Sequence, residues 1–394
     1  MLSEPYNFTK EDLENNKNDM DDNIHEYEEG GLCKLEVNEK IKKYKLLELL
    51  GEGSYSSVWK VENNEKKTFA FKISKSNKSD ETVGLNEVKI LKNFKNNSNI
   101  LHLEDSFTFK KNNSKHLCMV MENLGFDLHI LKRLFRFTDY NSSEESEDNI
   151  NSIMRCVPLE LSKKITYQIL KGLECIHSKN IIHTDLKLDN ILIVNNIENI
   201  KYNKDINIKI CDFGTSHLTT EKCNFHVGTI DYSAPECIIG LPYGTSIDIW
   251  ATGCILFEIL TGVCLFDYTR YYEDGENCSS GYSSSSYNNE NDKTQIEFLV
   301  LCMMKKILGG FPGKVFKKGK YYENYFDYKG RLRFTPLFLE EDTILNTLVD
   351  DFNFDEDTSE EITNFLHKLL SIDPDKRSNI KSLLEDSWLK NKCD

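Results

Sequence analysis

Three polar side chains follow an apolar run near the middle of the chain, at a spacing that suits chemistry on a phosphate. The stretch HTDLKLDN lies between two apolar segments, so Asp185, Lys187 and Asn190 should project together at the end of a strand. A carboxylate here can orient a hydroxyl group and accept its proton, a lysine can neutralise a phosphoryl group, and an amide oxygen can bind a metal ion. The spacing therefore indicates phosphoryl transfer to a hydroxyl.

A second loop supplies another candidate metal ligand. In IKICDFG, Asp212 follows a short apolar strand, and Phe213 is expected to pack behind it. Farther along, GTIDYSAPE ends the segment that would hold a substrate. Lys187 stands two residues after the candidate base Asp185, which is typical of transfer to serine or threonine and makes tyrosine a poor acceptor.

Glycines between two predicted strands are suited to cover the phosphates of a nucleotide. In LGEGSYSSVWK, Gly51 and Gly53 lie in a hairpin and not at the start of a helix, which separates this stretch from dinucleotide-binding and Walker loops. Without a Cβ, they let backbone amides approach a phosphate. Any tight hairpin also favours glycine, and Ser56 occupies the place of the third glycine in the pattern.

A lysine and a glutamate complete the candidate nucleotide site. Lys72 ends the apolar run FAFK on a predicted strand, and Glu87 lies on the predicted helix that follows. The ammonium can hold the α and β phosphates while it pairs with that carboxylate. Two unrelated surface charges are the alternative, against which the apolar neighbours of Lys72 argue. The candidate nucleotide-binding residues are Leu50, Gly51, Glu52, Gly53, Ser54, Val58, Ala70, Lys72, Glu87, Glu122 and Leu124.

The elements that must position these residues change in type along the chain. Residues 44–122 contain five short runs rich in β-branched and aromatic residues and one helical stretch, ETVGLNEVKILKNF, which predicts a small antiparallel sheet with one helix. Beyond them, apolar residues in LELSKKITYQILKGLECIH recur every three or four positions, as on one face of a helix. SIDIWATGCILFEILTG predicts a helix buried on all sides, and two Ser-rich acidic stretches, 138–152 and 271–293, predict exposed loops.

Composition bounds the classes of protein that this chain can be. Its 394 residues, 39% of them hydrophobic, can bury an ordinary core, and the net charge of −15 disfavours binding to nucleic acid or to anionic membranes. The twelve cysteines are scattered without metal-site spacing, which is typical of a reducing compartment. With no predicted signal peptide or membrane span, we expect a soluble intracellular protein in the cytoplasm, with the nucleus as an additional location left open.

In this order, the motifs resemble those of protein kinases. The resemblance implies an α+β, bilobal fold with a small β-rich N-lobe carrying one helix and a larger, mainly helical C-lobe. The expected boundaries are a disordered acidic arm at 1–25, the N-lobe at 26–123 and the C-lobe at 124–394, with the kinase domain at about 44–389.

Within the protein kinases, the sequence resembles the SR-protein kinases, which belong to the CMGC group and phosphorylate serines in arginine/serine repeats. IIHTDLKLDNILI carries their HTD where most kinases have HRD. EYEEGGLCKLEVNEKI is similar to their lead-in to the first strand, GLPYGTSIDIWATGCILFEILTGVCLFDY to their central helix, and GKYYENYFDYKGRLRF to a segment peculiar to that branch. The resemblance extends from about Glu26 to Lys390.

The resemblance implies an enzyme that uses ATP and Mg²⁺ and acts as a monomer. It implies that Asp185 is the base, that Asn190 and Asp212 bind the metal, and that Lys72 and Glu87 serve the nucleotide. The expected partner is a protein substrate that is basic or rich in arginine and serine, and the acidic net charge suits such a substrate.

Two structural contacts and one regulatory property are also implied. Asp248 in the central helix should tether the catalytic loop, and Glu236 should pair with Arg377. In HRD kinases the arginine binds a phosphate on the activation segment, so that activity depends on this phosphate. Thr184 has no charge with which to bind it, and we therefore hypothesise that activity needs no phosphorylation of the activation segment, although Thr219 is available there, with a second threonine beside it.

Departures from the family bear on the substrate. The long spacer of the SR-protein kinases between Asn190 and Asp212 is absent, and Ile230 stands in place of an expected arginine. Leu299 and Lys306 stand where acidic docking residues are expected, in a helix closer to that of the LAMMER-type kinases. Two alternatives to an SR-protein substrate are therefore an unrelated protein substrate and a pseudokinase scaffold. A scaffold has no chemical need for the phosphoryl-transfer residues.

Overall fold

The structure is a computed structural model, and it describes most of the chain. The described residues are 30–53, 55–95, 97–137, 157–195, 200, 206–221, 227–271, 290–333 and 343–390, except for the side chains of 136–137, 270–271 and 290–292. The predicted acidic arm, Ser54, the predicted loop at 138–152 and most of the predicted loop at 271–293 lie outside them.

A six-stranded antiparallel sheet forms the first lobe. Its strands stand in the order β1-β2-β3-β4-β6-β5. Gly51 lies opposite Val58 across the β2–β3 hairpin, and Val58 lies opposite Lys72 on the next strand. The strands are β1 (Lys40–Ile41), β2 (Tyr44–Glu52), β3 (Ser56–Glu62), β4 (Thr68–Ser74), β5 (Leu103–Lys111) and β6 (Ser114–Glu122).

Side chains alternate between the two faces of this sheet. Phe71 is fully buried, and it stacks with Tyr44 and lies 5.9 Å from the ring of Phe107 on the core face. Val58 and Lys72 point to the other face and are only partly buried. Since successive residues of a strand face opposite sides, the packing of the aromatic core on one face fixes the positions of Val58 and Lys72 on the other. That second face lines the cleft between the two lobes.

The single helix of this lobe is α1 (Lys78–Leu91), and it begins three residues before the predicted stretch. The Asn77 side chain accepts a hydrogen bond from the backbone N–H of Asp80 at 2.9 Å, which caps the first turn. The cap fixes where the helix begins and therefore which turn carries Glu87.

Helices make up most of the second lobe. In α3 the apolar stripe is fully buried, and α5 is buried over its whole length, as its sequence predicts. The helices are α2 (Leu128–Phe137), α3 (Leu159–Ser178), α4 (Pro235–Ile239), α5 (Ser246–Thr261), α6 (Glu290–Leu308), α7 (Gly313–Phe316), α8 (Tyr322–Tyr325), α9 (Ile344–Asn346), α10 (Glu356–Leu369), α11 (Ile380–Leu384) and α12 (Ser387–Lys390).

Short strand pairs hold the loops between these helices. β7 (Ile181–Ile182) pairs with β10 (His217–Leu218), and β8 (Ile191–Ile193) pairs with β9 (Ile208–Ile210). The backbone N–H of Leu101 donates to the carbonyl of Ile210 at 2.9 Å, which joins the segment before β5 to the second lobe. The predicted α+β, bilobal fold is confirmed.

Candidate active site

Polar side chains of the loop between β7 and β8 converge on Asp185. Its Oδ1 accepts hydrogen bonds from the backbone N–H of Thr229 at 3.0 Å and from the Thr229 hydroxyl at 2.9 Å. The Lys187 ammonium lies 3.4 Å from Oδ2 and donates to the Thr229 hydroxyl at 3.2 Å. Asn190 donates to the carbonyl of Asp185 at 2.7 Å. The three residues that the spacing brought together in sequence thus lie together in space.

A buried aspartate of α5 holds the start of this loop. The carboxylate of Asp248 accepts the backbone N–H groups of His183 at 2.9 Å and Thr184 at 3.0 Å, and it lies 2.8 Å from Nε2 of His177. Burial acts to raise the pKa of Asp248, but its hydrogen bonds and the nearby imidazoles lower it below the ordinary value. An ionised carboxylate therefore anchors the catalytic loop to the central helix, as the resemblance implies.

The loop after β9 presents Asp212 to the cleft. Phe213 is fully buried behind it, against Phe94 and in an edge contact with His183. Asp212 has a φ of 60°, in the left-handed region that few side chains adopt. The packing of Phe213 holds this backbone and so orients the carboxylate.

An ion pair joins the sheet, the helix and this loop. The Lys72 ammonium lies 2.7 Å from Oε2 of Glu87 and 3.4 Å from Oδ1 of Asp212. Burial opposes the charged ammonium, but the charges of Asp212 and Glu87 outweigh it and raise the pKa of Lys72. The charge of Lys72 in turn lowers the pKa of Asp212. Both side chains are therefore charged near neutral pH, and the ion pair of Lys72 with buried Glu87 argues against two unrelated surface charges.

Two contacts of this site were missed in the sequence. Asn86 of α1 donates to the carbonyls of Gly214 at 3.2 Å and Ser216 at 2.7 Å, so the helix holds the loop of Asp212 as well as Lys72. Thr229 holds Asp185 across a sequence separation of 44 residues. No local pattern marks Asn86, whereas the GT before IDYSAPE was a usable signal for Thr229.

The predicted nucleotide contacts line one side of the cleft. Leu50, Gly51, Val58 and Ala70 are partly buried on the sheet face that carries Lys72. A Cβ added to Gly51 would meet no atom within 4 Å, so the space over this turn is open to a ligand. The remaining loop candidates, Glu52 and Gly53, are exposed at the hairpin.

The predicted contacts at the junction of the lobes differ from one another. The carboxylate of Glu122 accepts from the ammonium of Lys209 and from the backbone N–H of His102, each at 2.7 Å. Its backbone N–H also donates to the carbonyl of His102 at 3.2 Å, so both the side chain and the backbone N–H of Glu122 are engaged with the protein. Leu124 packs against a small apolar cluster that includes Met121.

The donor set fits a magnesium ion. Magnesium takes oxygen ligands and usually only one or two from the protein, while water and phosphate complete the shell. The amide nitrogen of Asn190 is used by Asp185, so its oxygen is the atom left to bind a cation. Asp212 supplies a charged carboxylate. Within the described residues, no group of three or more His, Cys, Asp or Glu side chains could hold a metal.

Two aspartates that interact with residues of the catalytic loop have raised pKa values. Burial raises the pKa of Asp127 to about 6, and the charge of Asp189 adds to this rise. Burial also raises the pKa of Asp231 to about 6, together with the charges of Asp267 and Glu258. Burial and neighbouring carboxylates thus disfavour the ionised forms of Asp127 and Asp231, and a cation bound beside either would lower its pKa.

The hydroxyl of Thr184 makes a contact that a charged residue there would replace. It donates to the hydroxyl of Thr215 at 2.9 Å, and this bond ties the catalytic loop to the residue that follows Gly214. Thr219 and Thr220 are exposed in the same segment. The start of the activation segment is thus held by a neutral hydrogen bond.

Comparison with known proteins assigns the family. The protein kinase domain matches residues 44–389, most of the chain. The chain belongs to the protein kinase family. The kinase is 27% identical, over 94% of its length, to the serine/threonine-protein kinase SRPK of Physarum polycephalum, of which the match covers 91%.

Two further relatives are more partial matches. The kinase is 29% identical over 91% of its length to the serine/threonine-protein kinase prp4 of Schizosaccharomyces pombe, of which 69% is covered. It is 29% identical over 76% of its length to the human dual specificity tyrosine-phosphorylation-regulated kinase 3, and spans only 43% of that protein.

The kinase is therefore a serine/threonine protein kinase, related to SRPK, prp4 and the DYRK-type kinases of the CMGC group. Such enzymes use ATP to phosphorylate proteins. No helix of the described residues combines the length and the apolar character that a membrane crossing requires. The pseudokinase alternative is not supported.

The buried ion pair expected in the C-lobe is present. Arg377 donates to both carboxylate oxygens of Glu236, at 2.5 and 2.7 Å, and both side chains are buried. Its guanidinium also lies 4.9 Å from the ring of Trp250. The pair fixes α4, which directly follows the segment that holds Thr229.

Proposed function

We propose that this kinase transfers the γ-phosphate of ATP to serine or threonine hydroxyls of basic protein substrates, with Asp185 as the catalytic base. The observation that carries the proposal is the convergence of Asp185, Lys187 and Thr229 within hydrogen-bonding distance of one another. Asp185 then orients the acceptor hydroxyl and takes its proton as the phosphoryl group leaves ATP.

Charged residues complete the proposed mechanism. Lys187, beside Asp185, neutralises the charge that develops on the γ-phosphate during transfer. Lys72 holds the α and β phosphates, and Glu87 fixes the Lys72 ammonium for this task. Because Asp212 keeps Lys72 charged, the nucleotide meets a fixed cation, and no reorganisation is needed at the moment of reaction.

The backbone of the glycine hairpin covers the phosphates in this proposal. Gly51 has open space above it, and Leu50, Val58 and Ala70 offer an apolar surface on the same sheet face to the adenine ring. The backbone of Glu122 and the side chain of Leu124 bound this surface at the junction of the lobes. Magnesium bound by Asn190 and Asp212 would neutralise the phosphate charge.

A basic substrate is favoured by the carboxylates around the acceptor site. Asp231 lies near Lys187, and it shares its surroundings with Asp267 and Glu258. A cationic side chain beside the acceptor serine would pair with Asp231 and lower its raised pKa. Arginine suits this role because it stays charged and binds carboxylates in a fixed geometry. The relative named SRPK supports an Arg/Ser-rich substrate.

Independence from activation-segment phosphorylation is part of the proposal. In place of an arginine that needs a phosphate, Thr184 holds Thr215 through a neutral hydrogen bond. The anchoring contact therefore exists without any modification of the segment. We further propose that the kinase acts as a monomer inside the cell.

The test is a peptide phosphorylation assay. Purified kinase, ATP and Mg²⁺ are incubated with a peptide of Arg-Ser repeats and with a serine peptide of the same length flanked by acidic residues, and an Asp185→Asn variant serves as the control. Preferential labelling of the Arg-Ser peptide, lost in the variant, is the expected result. Preferential labelling of the acidic peptide would overturn the substrate class and leave the kinase activity intact.

A further inference from the structure

A basic surface stands out in this acidic chain. Residues 305–333 contain nine lysines and arginines against two acidic residues, while the whole chain has a net charge of −15. Eight of the nine are exposed, and Lys306 is partly buried. The basic surface consists of Lys305, Lys306, Lys314, Lys317, Lys318, Lys320, Lys329, Arg331 and Arg333.

The charge of this surface is largely uncompensated. Arg331 pairs with Asp327, at 2.8 and 3.0 Å, and Arg333 donates to the backbone carbonyl of Glu323 at 2.8 Å. In the part of the chain that the structure describes, no carboxylate forms an ion pair with any of the seven lysines. An exposed group of like charges lowers the stability of the fold through repulsion, and a bound partner of opposite charge would relieve this repulsion.

An aromatic cluster fixes the backbone beneath the basic surface. The ring of Phe311 lies 5.3 Å from those of Phe316 and Phe326, and Tyr322 stacks on Phe326 at 4.6 Å. Buried Tyr325 donates to the carboxylate of Glu297 on α6 at 2.5 Å. The lysines therefore project from a rigid base, which reduces the entropy lost when a partner binds.

The parts of the surface lie next to one another. The backbone N–H of Asp327 donates to the carbonyl of Arg331 at 2.8 Å and closes a turn whose tip, Tyr328, is 86% exposed. A Cβ added to Gly330 would lie 3.8 Å from Cε of Lys317, so the lysines after α7 lie beside this turn. The turn and the lysines after α7 thus form a contiguous part of the basic surface, which includes an exposed aromatic ring.

The basic surface is attached to the element that follows the acceptor site. The backbone N–H of Tyr321 donates to the carbonyl of Ile239 at 2.9 Å, and that of Lys320 donates to the carbonyl of Gly240 at 3.2 Å. Both acceptors lie at the end of α4, which begins shortly after Thr229. A partner held on the surface would therefore stay on the lobe that presents the acceptor to Asp185.

We propose that the basic surface is a docking site for an acidic segment of the kinase's protein substrates. This inference rests on the proposed function, which requires a protein substrate. It adds a basic docking site for an acidic segment to the acidic acceptor site for a basic segment. Lysines attract carboxylates as mobile point charges, which suits a segment of low sequence specificity. Docking raises the effective concentration of the acceptor at the active site without any new contact there.

The acidic remainder of the chain favours a peptide over a nucleic acid as the occupant. A nucleic acid carries charge along its whole length, and beyond the basic surface it would meet a repulsive field. A short acidic peptide confines its charge to the surface.

Binding of a labelled peptide tests the proposal without any phosphoryl transfer. A fluorescent peptide of Glu and Gly residues, lacking Ser, Thr and Tyr, is titrated with the full-length kinase at physiological salt, and its anisotropy is recorded. The test variant carries Lys314→Glu, Lys317→Glu and Lys318→Glu. The matched control carries Lys376→Glu, Lys381→Glu and Lys390→Glu, which change the net charge equally on exposed C-terminal positions.

The expected result is binding to wild-type kinase that weakens about 10-fold or more in the test variant and less than about twofold in the control. Equal weakening in both variants would show that net charge alone determines the affinity, and it would overturn the proposal. Tighter binding of a single-stranded oligonucleotide of the same length would also overturn it, because the surface would then be a nucleic acid site. Because the assay contains no acceptor and no nucleotide, its outcome is independent of the peptide phosphorylation test.

Discussion

Replacing Thr184 by valine should lower kcat/KM about fivefold, because it removes one hydrogen bond and little else. The Thr184 hydroxyl donates to Thr215 at 2.9 Å. A hydrogen bond of this kind contributes about 1 kcal/mol net, which corresponds to about a fivefold change in the population of the aligned activation segment. Valine has nearly the same shape, so the packing around residue 184 is retained.

The backbone at Thr184 makes valine the appropriate substitution. Its φ is 77°, in the left-handed region that β-branched residues rarely adopt, and the carboxylate of Asp248 holds it there through the backbone N–H at 3.0 Å. Valine is also β-branched and incurs the same strain. The variant therefore isolates the hydroxyl from the backbone conformation.

The assay is steady-state phosphorylation of the Arg-Ser peptide by wild type, Thr184→Val, Thr215→Val and the double variant. If the two hydroxyls act through their shared bond, each single variant and the double variant lose a similar factor. If the losses of the two single variants multiply in the double variant, this reasoning is refuted.

The wild-type kinase should stay active after phosphatase treatment, and the Thr219→Ala/Thr220→Ala variant should be as active as wild type. Loss of activity on dephosphorylation would contradict an activation segment that is anchored without a phosphate.

Four further perturbations have expected outcomes. Lys72→Met should reduce kcat/KM for ATP by about 10²-fold or more, since a fixed cation at the phosphates is lost; an unchanged value would remove Lys72 from the nucleotide site. Arg377→Met should lower the free energy of unfolding in urea by about 3–5 kcal/mol, because Glu236 is left charged and buried, and a Glu236→Gln/Arg377→Met double variant should recover part of it. For Asp231, the pKa of about 6 in the folded protein lies above the ordinary value of 3.8, so its ionisation destabilises the fold as pH rises between these values. Asp231→Asn should therefore raise Tm at pH 7.5, and it should reduce the rise in KM for a basic peptide that wild type shows when the pH is lowered from 7 to 5.5. An unchanged dependence of KM on pH would show that Asp231 takes no part in substrate binding. Asn86→Ala, which frees the loop after Asp212, should lower kcat more than the peptide KM in steady-state assays, with equal effects on both counting against a positioning role.

The lobes and the catalytic core were predictable from the sequence because local patterns encode them. The alternation of apolar residues in FAFK settles which face of the sheet carries Lys72. The loop that carries Asp185 and Asn190 is short, so these two side chains lie close together irrespective of how distant segments of the chain fold. The continuous apolar sequence of α5 likewise leaves burial as its only stable environment.

Contacts between distant segments were not predictable in the same way. The hydroxyl pair of Thr184 and Thr215 joins residues 31 positions apart, and the bond from Thr229 to Asp185 spans 44 positions. Such contacts depend on the path of the whole chain between them. The start of α1 was placed three residues late because Asn77, one of many asparagines in the sequence, was not recognised as its cap.

The surface charge illustrates a further limit of sequence reading. In the sequence, the basic stretch GKVFKKGK is interrupted by apolar residues and resembles ordinary exposed charge. In the fold, Phe316 is buried and the neighbouring lysines are exposed, so the apolar residue within this stretch anchors the basic surface to the core. Only the packing of the aromatic cluster reveals that Lys317 and Gly330 are neighbours.

The most direct measurement on the central claim is single-turnover phosphoryl transfer by the Asp185→Asn variant, combined with its Kd for ATP. If Asp185 accepts the proton of the acceptor hydroxyl, the transfer rate should fall by about 10²–10⁴-fold, while the Kd for ATP stays within about twofold of wild type, because Lys72 and Asp212 are untouched. A transfer rate close to that of wild type, or a loss explained entirely by weaker ATP binding, would contradict the assignment of Asp185 as the catalytic base.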